Sequence, residues 1–176
     1  MPDTAKSNKP KLILFSGPPG VGKSSLSYRL ARDFGIALLA KDQVERTLIS
    51  SKLASDTGRL AYALLIEIAE FNLQHGASII LDAVFGTNHL RSLLIQIAHN
   101  HQADFFGIDC ICSDKKLWQS RLETRSEMVP GWTPASWTES LRVQGYYEEW
   151  AYPHLTLDAV DPFENNYKRL LAYVNQ

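Results

Sequence analysis

Eight consecutive residues near the start of the chain match a pattern that binds phosphate groups. The run Gly17-Pro18-Pro19-Gly20-Val21-Gly22-Lys23-Ser24 has the spacing G-x-x-x-x-G-K-[ST]. In this pattern the glycines let the backbone wrap a polyphosphate with its N–H groups facing inward. The lysine reaches the β- and γ-phosphates, and the serine hydroxyl coordinates Mg²⁺. We therefore expect these residues, with the adjoining Ser25, to bind ATP and Mg²⁺.

The segments on either side of this loop support the interpretation. Lys11 to Ser16 is a short, mostly apolar run typical of a buried strand, and Leu26, Leu30 and Phe34 follow with helical spacing. The context is strand, loop and helix, which the phosphate-binding pattern requires. A glycine-rich turn that binds nothing is the alternative, and the flanking segments disfavour it.

Two aspartates follow apolar runs that read as strands. Ile36 to Ala40 predicts a short buried strand, with Asp42 just after it at the entry to a helix. Ser78 to Asp82 is another apolar run that closes on a carboxylate. Asp42 is a candidate to accept the proton of an acceptor hydroxyl, or it is a carboxylate stabilised by the helix dipole. Asp82 has the position of an acidic residue beside magnesium, and it is also placed to orient a cation on the substrate side.

Three arginines are candidates for contacts with phosphate. Arg121 and Arg125 lie four residues apart on a helix predicted from Asp114 to Arg125, so they share one face. We expect at least one of them to contact nucleotide phosphates or adenine, the alternative being a solvated surface. The next segment, 126–136, is broken by prolines and a glycine, which predicts a mobile lid or an irregular loop. Arg46 either binds an anionic group of the acceptor or pairs with Glu45 or solvent.

Strands and helices alternate along the rest of the chain. Beyond the segments above, the pattern predicts helices at 60–73, 88–98 and 162–174 and strands at 105–112 and 155–158, with a turn at 99–101. Such alternation favours a three-layer α/β/α fold, in which a parallel sheet is covered on both faces and ligands gather beyond the carboxyl ends of the strands. The loop at 17–24, Asp42 and Asp82 all fall at that edge.

Length and composition predict one globular domain. The chain has 176 residues, 18 basic and 19 acidic side chains and a formal charge of -1. This balance gives no global field that favours long nucleic acid or an anionic membrane, and no apolar run is long enough to span a bilayer. The first ten residues are polar, so we expect a disordered tail without a secretory signal, followed by a domain at 11–176.

The two cysteines bear on where the protein works. Cys110 and Cys112 lie two apart in a predicted strand, so they point to the same face, which indicates buried thiols rather than a disulfide or a metal site. Free thiols suit a reducing compartment. We expect a cytoplasmic protein that is a monomer or a weak dimer.

These residues together resemble the small phosphate-loop kinases of the AAA_33 type. That group of P-loop NTPases includes the polynucleotide 5′-hydroxyl kinase domain and is similar in plan to gluconate and shikimate kinases. Besides the loop, the resemblance is carried by Lys41-Asp42 with Arg46, by 80–83 followed by Arg91, by Arg121 and Arg125, and by Leu157-Asp158. It implies a five-stranded parallel sheet of order 2-3-1-4-5. It also implies that Asp42 activates the acceptor hydroxyl, that Arg125 is a lid arginine on the transferred phosphate and that Arg121 lies beside adenine or phosphate.

The sequence departs from the family pattern on the acceptor side. In polynucleotide kinases an arginine commonly follows the catalytic aspartate by three residues, whereas Glu45 stands there and the arginine is Arg46. The usual Asp-Ala-Thr-Asn after the third strand is replaced by Asp82-Ala83-Val84-Phe85. Both changes favour a smaller or less charged acceptor.

The sequence therefore predicts an ATP- and Mg²⁺-dependent kinase that phosphorylates a hydroxyl of a small metabolite or a nucleoside-like acceptor. A 5′-hydroxyl polynucleotide kinase is an alternative that needs a basic channel, and cations are sparse between Asp42 and Arg91. A nucleotide-dependent ATPase switch or binding module is a third hypothesis.

Overall fold

Five parallel strands form a single sheet at the centre of the protein. The computed structural model describes residues 9–52, 57–124 and 133–176. The strands are β1 (Lys11–Ser16), β2 (Ala37–Ala40), β3 (Ile79–Asp82), β4 (Asp104–Ile111) and β5 (Leu155–Asp158). Their order across the sheet is β2-β3-β1-β4-β5, with every neighbouring pair parallel. The expected order of 2-3-1-4-5 is confirmed.

Helices cover both faces of this sheet. They are α1 (Lys23–Phe34), α2 (Lys41–Ser50), α3 (Thr57–Gln74), α4 (Asn88–Asn100), α5 (Lys115–Glu123), α6 (Trp137–Tyr146) and α7 (Phe163–Val174). Ile13 and Phe15 of β1 pack in a core with buried side chains of α1, α5 and α7. Leu12 and Leu14 point to the opposite face and pack in a second core with α3 and α4. Successive side chains of β1 therefore pack against helices on opposite faces of the sheet, which gives the three predicted layers.

Several local expectations differ from the structure. β2 is partly exposed rather than buried, because it lies at the edge of the sheet with a strand on only one side. α4 continues to Asn100, so the turn begins only at His101. α5 ends at Glu123, before the Arg125 expected to close it. The helix α6 was not predicted at all.

Side-chain caps start the helices that follow the sheet edge. Asp114 accepts hydrogen bonds from the backbone N–H groups of Lys116 and Leu117 at 2.8 and 3.1 Å. Ser136 accepts one from Glu139 at 3.2 Å, which begins α6 directly after a proline-containing segment. These bonds satisfy N–H groups that have no partner inside a helix. They fix the residues at which α5 and α6 begin.

Two further findings concern the cysteines and the length and apolar character of the helices. Cys110 and Cys112 are both free and buried, as expected, and burial raises the pKa of the Cys110 thiol. Within the described ranges, none of the helices has the length and apolar character needed to cross a membrane.

Candidate active site

The phosphate-binding loop has a backbone that only glycine adopts without strain. Gly17, Gly20 and Gly22 have φ values of 139, 84 and 94°. A Cβ atom on Gly17 would lie 2.2 Å from the carbonyl oxygen of Cys110, and one on Gly20 would lie 2.6 Å from the side chain of Leu122. All three glycines are therefore favoured by their backbone conformation, and Gly17 and Gly20 are also required by the close approach of β4 and α5.

Two hydrogen bonds hold this loop from opposite sides. The N–H of Gly17 donates to the carbonyl oxygen of Val84 at 3.2 Å, which ties the start of the loop to the segment after β3. The indole of Trp118, which is almost fully buried, donates to the carbonyl oxygen of Pro19 at 2.7 Å. The loop is thus a fixed element whose position follows from β1, β3 and α5.

Lys23 and Ser24 form the first turn of α1. Gly22 precedes this helix in a left-handed conformation and offers no side-chain cap. The first N–H groups of α1 therefore remain available for an anion at the positive end of the helix dipole. The Lys23 ammonium donates to the carbonyl oxygens of Gly17 and Pro18, both at 2.8 Å, so it lies over the loop.

Asp82 lies beside this helix start, with its side chain buried. The hydroxyl of Ser27 donates to its Oδ2 at 2.9 Å. Burial raises the pKa of Asp82, while the charge of Lys23 and hydrogen bonds from Ser24 and Ser27 oppose that shift. A buried carboxylate next to the Ser24 hydroxyl suits a hard cation that prefers oxygen ligands. Ser24 and Asp82 are thus the residues that would hold a Mg²⁺ ion here. In the described part of the chain no cluster of three or more His, Cys, Asp or Glu side chains could hold a metal.

Asp42 faces the same region from the neighbouring edge strand. β2 ends at Ala40, which pairs in register with Asp82 of β3, and α2 begins at the next residue. Asp42 thus lies in the first turn of α2, where the helix dipole favours a carboxylate. Its negative charge contributes to the raised pKa of Asp82. Asp42 was interpreted either as a proton acceptor or as a carboxylate stabilised by the helix dipole. The two interpretations are compatible, because the start of α2 also places Asp42 at the site.

One cavity of about 850 Å³ brings these residues together. Its walls include the loop from Pro19 to Ser25, the start of α2 with Asp42 and Arg46, residues 82–84, Arg121, and parts of α6 and of 157–166. This volume lies in the range of small-molecule sites. The structure thus gathers most of the sequence-predicted residues that it describes around this cavity, with Gly17 and Pro18 outside its lining.

Arg121 links two parts of the cavity wall. Its Nη2 donates to the carbonyl oxygen of Ala159 at 3.1 Å, and its Nη1 is the side-chain atom nearest to a Cβ built on Gly22, at 4.0 Å. Arg121 therefore spans the space from the phosphate-binding loop to the connection between β5 and α7. Arg125 and residues 126–132 of the predicted lid lie outside the described residues, whereas Thr133 and Ala135 line the cavity.

The sequence interpretation missed part of the cavity wall. Tyr62 of α3 lines it, and the Tyr62 hydroxyl accepts a hydrogen bond from the N–H of Phe85 at 3.3 Å. α6 contributes Glu139, Arg142 and Tyr146. None of these residues belongs to a chemical motif, so only the fold reveals that they face the site.

Comparison with known proteins identifies the family. The sequence profile of an AAA domain, the AAA_33 type, matches residues 12–136. The chain belongs to the AAA_33 family. The match begins in β1 and ends just before α6, so β5 and α7 complete the domain beyond it. No protein of curated function matches the sequence.

Several solved structures with the same fold are kinases by name. A protein of Chloroflexus aurantiacus provisionally assigned as a kinase is 22% identical, with a TM-score of 0.75 and coverage of 94% of this chain and 98% of that one. A gluconokinase from Sinorhizobium meliloti is 16% identical, with a TM-score of 0.68 and coverage of 94% and 91%. Kti12 from Chaetomium thermophilum, in complex with ADP-AlF3, is 19% identical, with a TM-score of 0.67 and coverage of 93% and 98%. These likenesses confirm the α/β P-loop fold.

Proposed function

We propose that the protein is an ATP- and Mg²⁺-dependent phosphotransferase that acts on a hydroxyl of a small metabolite or a nucleoside-like acceptor. The observation that carries this proposal is the shared cavity, in which the phosphate-binding loop, the Ser24 and Asp82 pair and Asp42 all meet. A kinase of this kind needs a fixed polyphosphate, neutralised charge and a group that takes the acceptor proton. Each requirement has a candidate in the cavity.

The donor side consists of the loop, Lys23, Ser24, Asp82 and Arg121. Loop N–H groups and the start of α1 bind the phosphates of ATP, and Lys23 moves from the loop carbonyls to the β- and γ-phosphates. Ser24 and Asp82 would hold Mg²⁺, which when bound would neutralise negative charge on the phosphates of ATP. Arg121 contacts adenine or phosphate from its place beside Ala159.

On the acceptor side Asp42 accepts the proton of the hydroxyl. The hydroxyl oxygen forms a bond to the γ-phosphorus as the bond from that phosphorus to the β,γ-bridging oxygen breaks, and ADP leaves with the electron pair. Asp42 suits this role because it is exposed to the cavity and has no part in the loop pattern. Asp82 does not suit it, because its buried carboxylate is hydrogen-bonded beside Ser24.

A transfer assay tests the proposal. Labelled γ-phosphate is followed from ATP to pooled metabolites and short oligonucleotides, and Lys23→Ala serves as the inactive comparison. Each charge-assisted hydrogen bond is worth about 1.5–3 kcal/mol, so calorimetry is expected to show an ATP affinity at least about tenfold weaker in this variant. Equal ATP affinity in two folded proteins would contradict the assignment of the loop.

The two alternatives predict other outcomes of the same assay. A 5′-hydroxyl polynucleotide kinase would label oligonucleotides. A nucleotide-dependent switch would label no acceptor and would bind a partner only with nucleotide, and the shared fold with Kti12 keeps this hypothesis in the test. The free, buried thiols of Cys110 and Cys112 favour a cytoplasmic location, and we propose a monomer or a weak dimer.

A further inference from the structure

We infer that the acceptor is an uncharged hydroxyl compound with an apolar or aromatic part, rather than a compound that carries phosphate or carboxylate. This inference rests on the proposed function and concerns the acceptor wall, which we define as the cavity-lining residues of α2, Tyr62, 83–84 and α6. Two observations support it. The charged side chains of this wall are paired within the chain, and the surface between them is largely apolar.

The cation nearest to Asp42 in sequence is already paired. The ammonium of Lys41 lies 2.7 Å from Oε1 of Glu45, one helical turn away, and the two side chains are only 15% and 17% exposed. A Cβ on Gly58, at the start of α3, would lie 3.5 Å from the same Glu45 oxygen, so α3 helps to enclose the pair. An acceptor anion would have to displace Glu45 from Lys41 in a partly buried setting.

The other described cations of the acceptor wall are also engaged. Arg142 forms a forked pair with Glu139, with Nε and Nη2 donating at 2.9 and 2.7 Å. Arg46 has an interaction within the chain as well. The Arg142 pair is 65% and 43% exposed and contributes little by itself, so the argument depends mainly on Lys41. Because Asp42 and the donor phosphates add negative charge nearby, a second anion finds repulsion there rather than a free cation.

The remaining surface of the acceptor wall is largely apolar. Tyr62 packs edge to face on Phe85 with ring centroids 5.1 Å apart, and the Lys41 ammonium lies 5.2 Å from the centre of the Tyr62 ring. Tyr146 is 46% exposed and adjoins the backbone at Gly86, where a Cβ would lie 3.2 Å from its ring. Val84 and Val143 complete this surface. An apolar ring or chain beside the reacting hydroxyl would cover these side chains.

The inference is tested with matched acceptors in the labelled transfer assay. The probes are adenosine against AMP, glucose against gluconate and glucose 6-phosphate, and phenyl β-D-glucoside against glucose. We expect only the neutral member of each pair to be labelled, or its kcat/KM to be at least about tenfold higher than that of the anionic member. The phenyl glucoside should have a higher kcat/KM than glucose. Preference for the anionic members would overturn the inference and leave the proposed function intact. Absence of labelling of every pooled acceptor would overturn both.

Two variants isolate the role of the Lys41 and Glu45 pair. Glu45→Gln releases the ammonium, so we expect the preference for neutral acceptors to shrink at least about fivefold, with kcat/KM rising for the anionic members. Glu67→Gln, an exposed change on α3 outside the cavity, should leave the preference unchanged. In Lys41→Gln the kcat/KM for anionic members should change by less than about threefold. A tenfold loss confined to those members would show that Lys41 binds the acceptor anion and would overturn the inference.

Discussion

The indole N–H of Trp118 points at the carbonyl oxygen of Pro19, and the hydrogen bond between them measures 2.7 Å. This bond joins the third residue of the phosphate-binding loop to a helix that lies 99 residues further along the chain. Since Trp118 is 1% exposed, its ring is held by the core and the loop has little freedom at this point. A loop fixed before the nucleotide arrives loses little conformational entropy on binding.

We predict that Trp118→Phe weakens ATP binding without unfolding the domain. The change removes one hydrogen bond, worth about 0.5–1.5 kcal/mol, and keeps an aromatic ring in the core. Calorimetry should therefore show an ATP affinity that is about 2- to 10-fold weaker. Trp137→Phe is the control, because Trp137 packs edge to face on Trp118 at 5.0 Å. Equal losses in the two variants would mean that packing, and not the bond to Pro19, sets the affinity.

Gly17→Ala should destabilise the protein far more than Gly35→Ala does. Both glycines have positive φ, 139 and 65°, so both alanines carry backbone strain. Only the Cβ at Gly17 meets backbone, 2.2 Å from the Cys110 oxygen, whereas the one at Gly35 has no atom within 4 Å among those described. We expect the Tm to fall at least roughly twice as far for Gly17→Ala in thermal unfolding. Similar Tm values would show that β4 yields and that the close approach is not required.

Asp42→Asn should separate nucleotide binding from transfer. The amide keeps the shape of the side chain but cannot take a proton, and general-base help is typically worth about 10² to 10⁴ in rate. Turnover should fall by that factor, while calorimetry should give an ATP affinity within about twofold of the original. If transfer stays near normal, Asp42 is not the base and its carboxylate only stabilises the start of α2.

We predict that segment 126–136 closes over ATP and that Arg125 reaches the γ-phosphate. The segment follows α5, whose Arg121 lines the cavity, and its described residues Thr133 and Ala135 line the cavity as well. Hydrogen exchange in 126–136 should slow when AMP-PNP and Mg²⁺ are added, and Arg125→Ala should lower turnover more than ATP affinity. Unchanged exchange together with normal turnover in Arg125→Ala would identify an ordinary surface loop.

The contact between α1 and α7 should give stability a dependence on alkaline pH. The Tyr167 hydroxyl donates to Asp33 at 2.6 Å, and burial together with this bond raises the pKa of Tyr167 to about 12. The folded state thus holds a proton that the unfolded state releases near pH 10, so this contribution is complete below pH 10 and is lost as the pH rises through about 12.

Comparison with Tyr167→Phe isolates this contribution. At pH 8 the variant should unfold about 2–4 °C below the original protein, as expected for one lost hydrogen bond in a domain of this size. The difference should shrink at about pH 11.5. A difference in Tm that stays constant between these two pH values would rule out the linkage.

The sequence was sufficient for the features that depend on local chemistry. The phosphate-binding loop was predicted because its glycines, Lys23 and Ser24 must stand at fixed spacing. Asp82 was found because it ends an apolar strand, and Asp114 was placed near a helix start, where it caps α5. The order of the sheet came from the family resemblance, which the structure confirms.

Features that depend on distant contacts could not be predicted in this way. The sequence indicates Arg91 only as part of the family resemblance, yet its side chain is fully buried. Its guanidinium donates to the carbonyl oxygens of Phe85 and Glu148, both at 2.9 Å, and lies over the rings of Tyr147 and Trp150. Most of these partners are more than 50 residues away in sequence.

α6 was missed for a related reason. Only Ser140 and Val143 of this helix are buried, which leaves little periodic pattern to detect. Glu139, Arg142 and Tyr146 of this helix line the cavity instead of the core, so their spacing follows the site and not a packing stripe.

The two ends of the folded domain meet at the side of the sheet opposite the cavity. Lys11, the first residue of β1, donates from its ammonium to the carbonyl oxygen of Val174, the last residue of α7, at 2.6 Å. A short linker could therefore join the ends of the domain, and new termini could be opened elsewhere, as in circular permutants of other domains. A permutant opened in the turn at His75-Gly76, between α3 and β3, would leave every residue of the cavity within one uninterrupted domain. Such a chain would be synthesised with β3 to α7 ahead of the phosphate-binding loop, so the order of synthesis would change while the finished fold stayed the same.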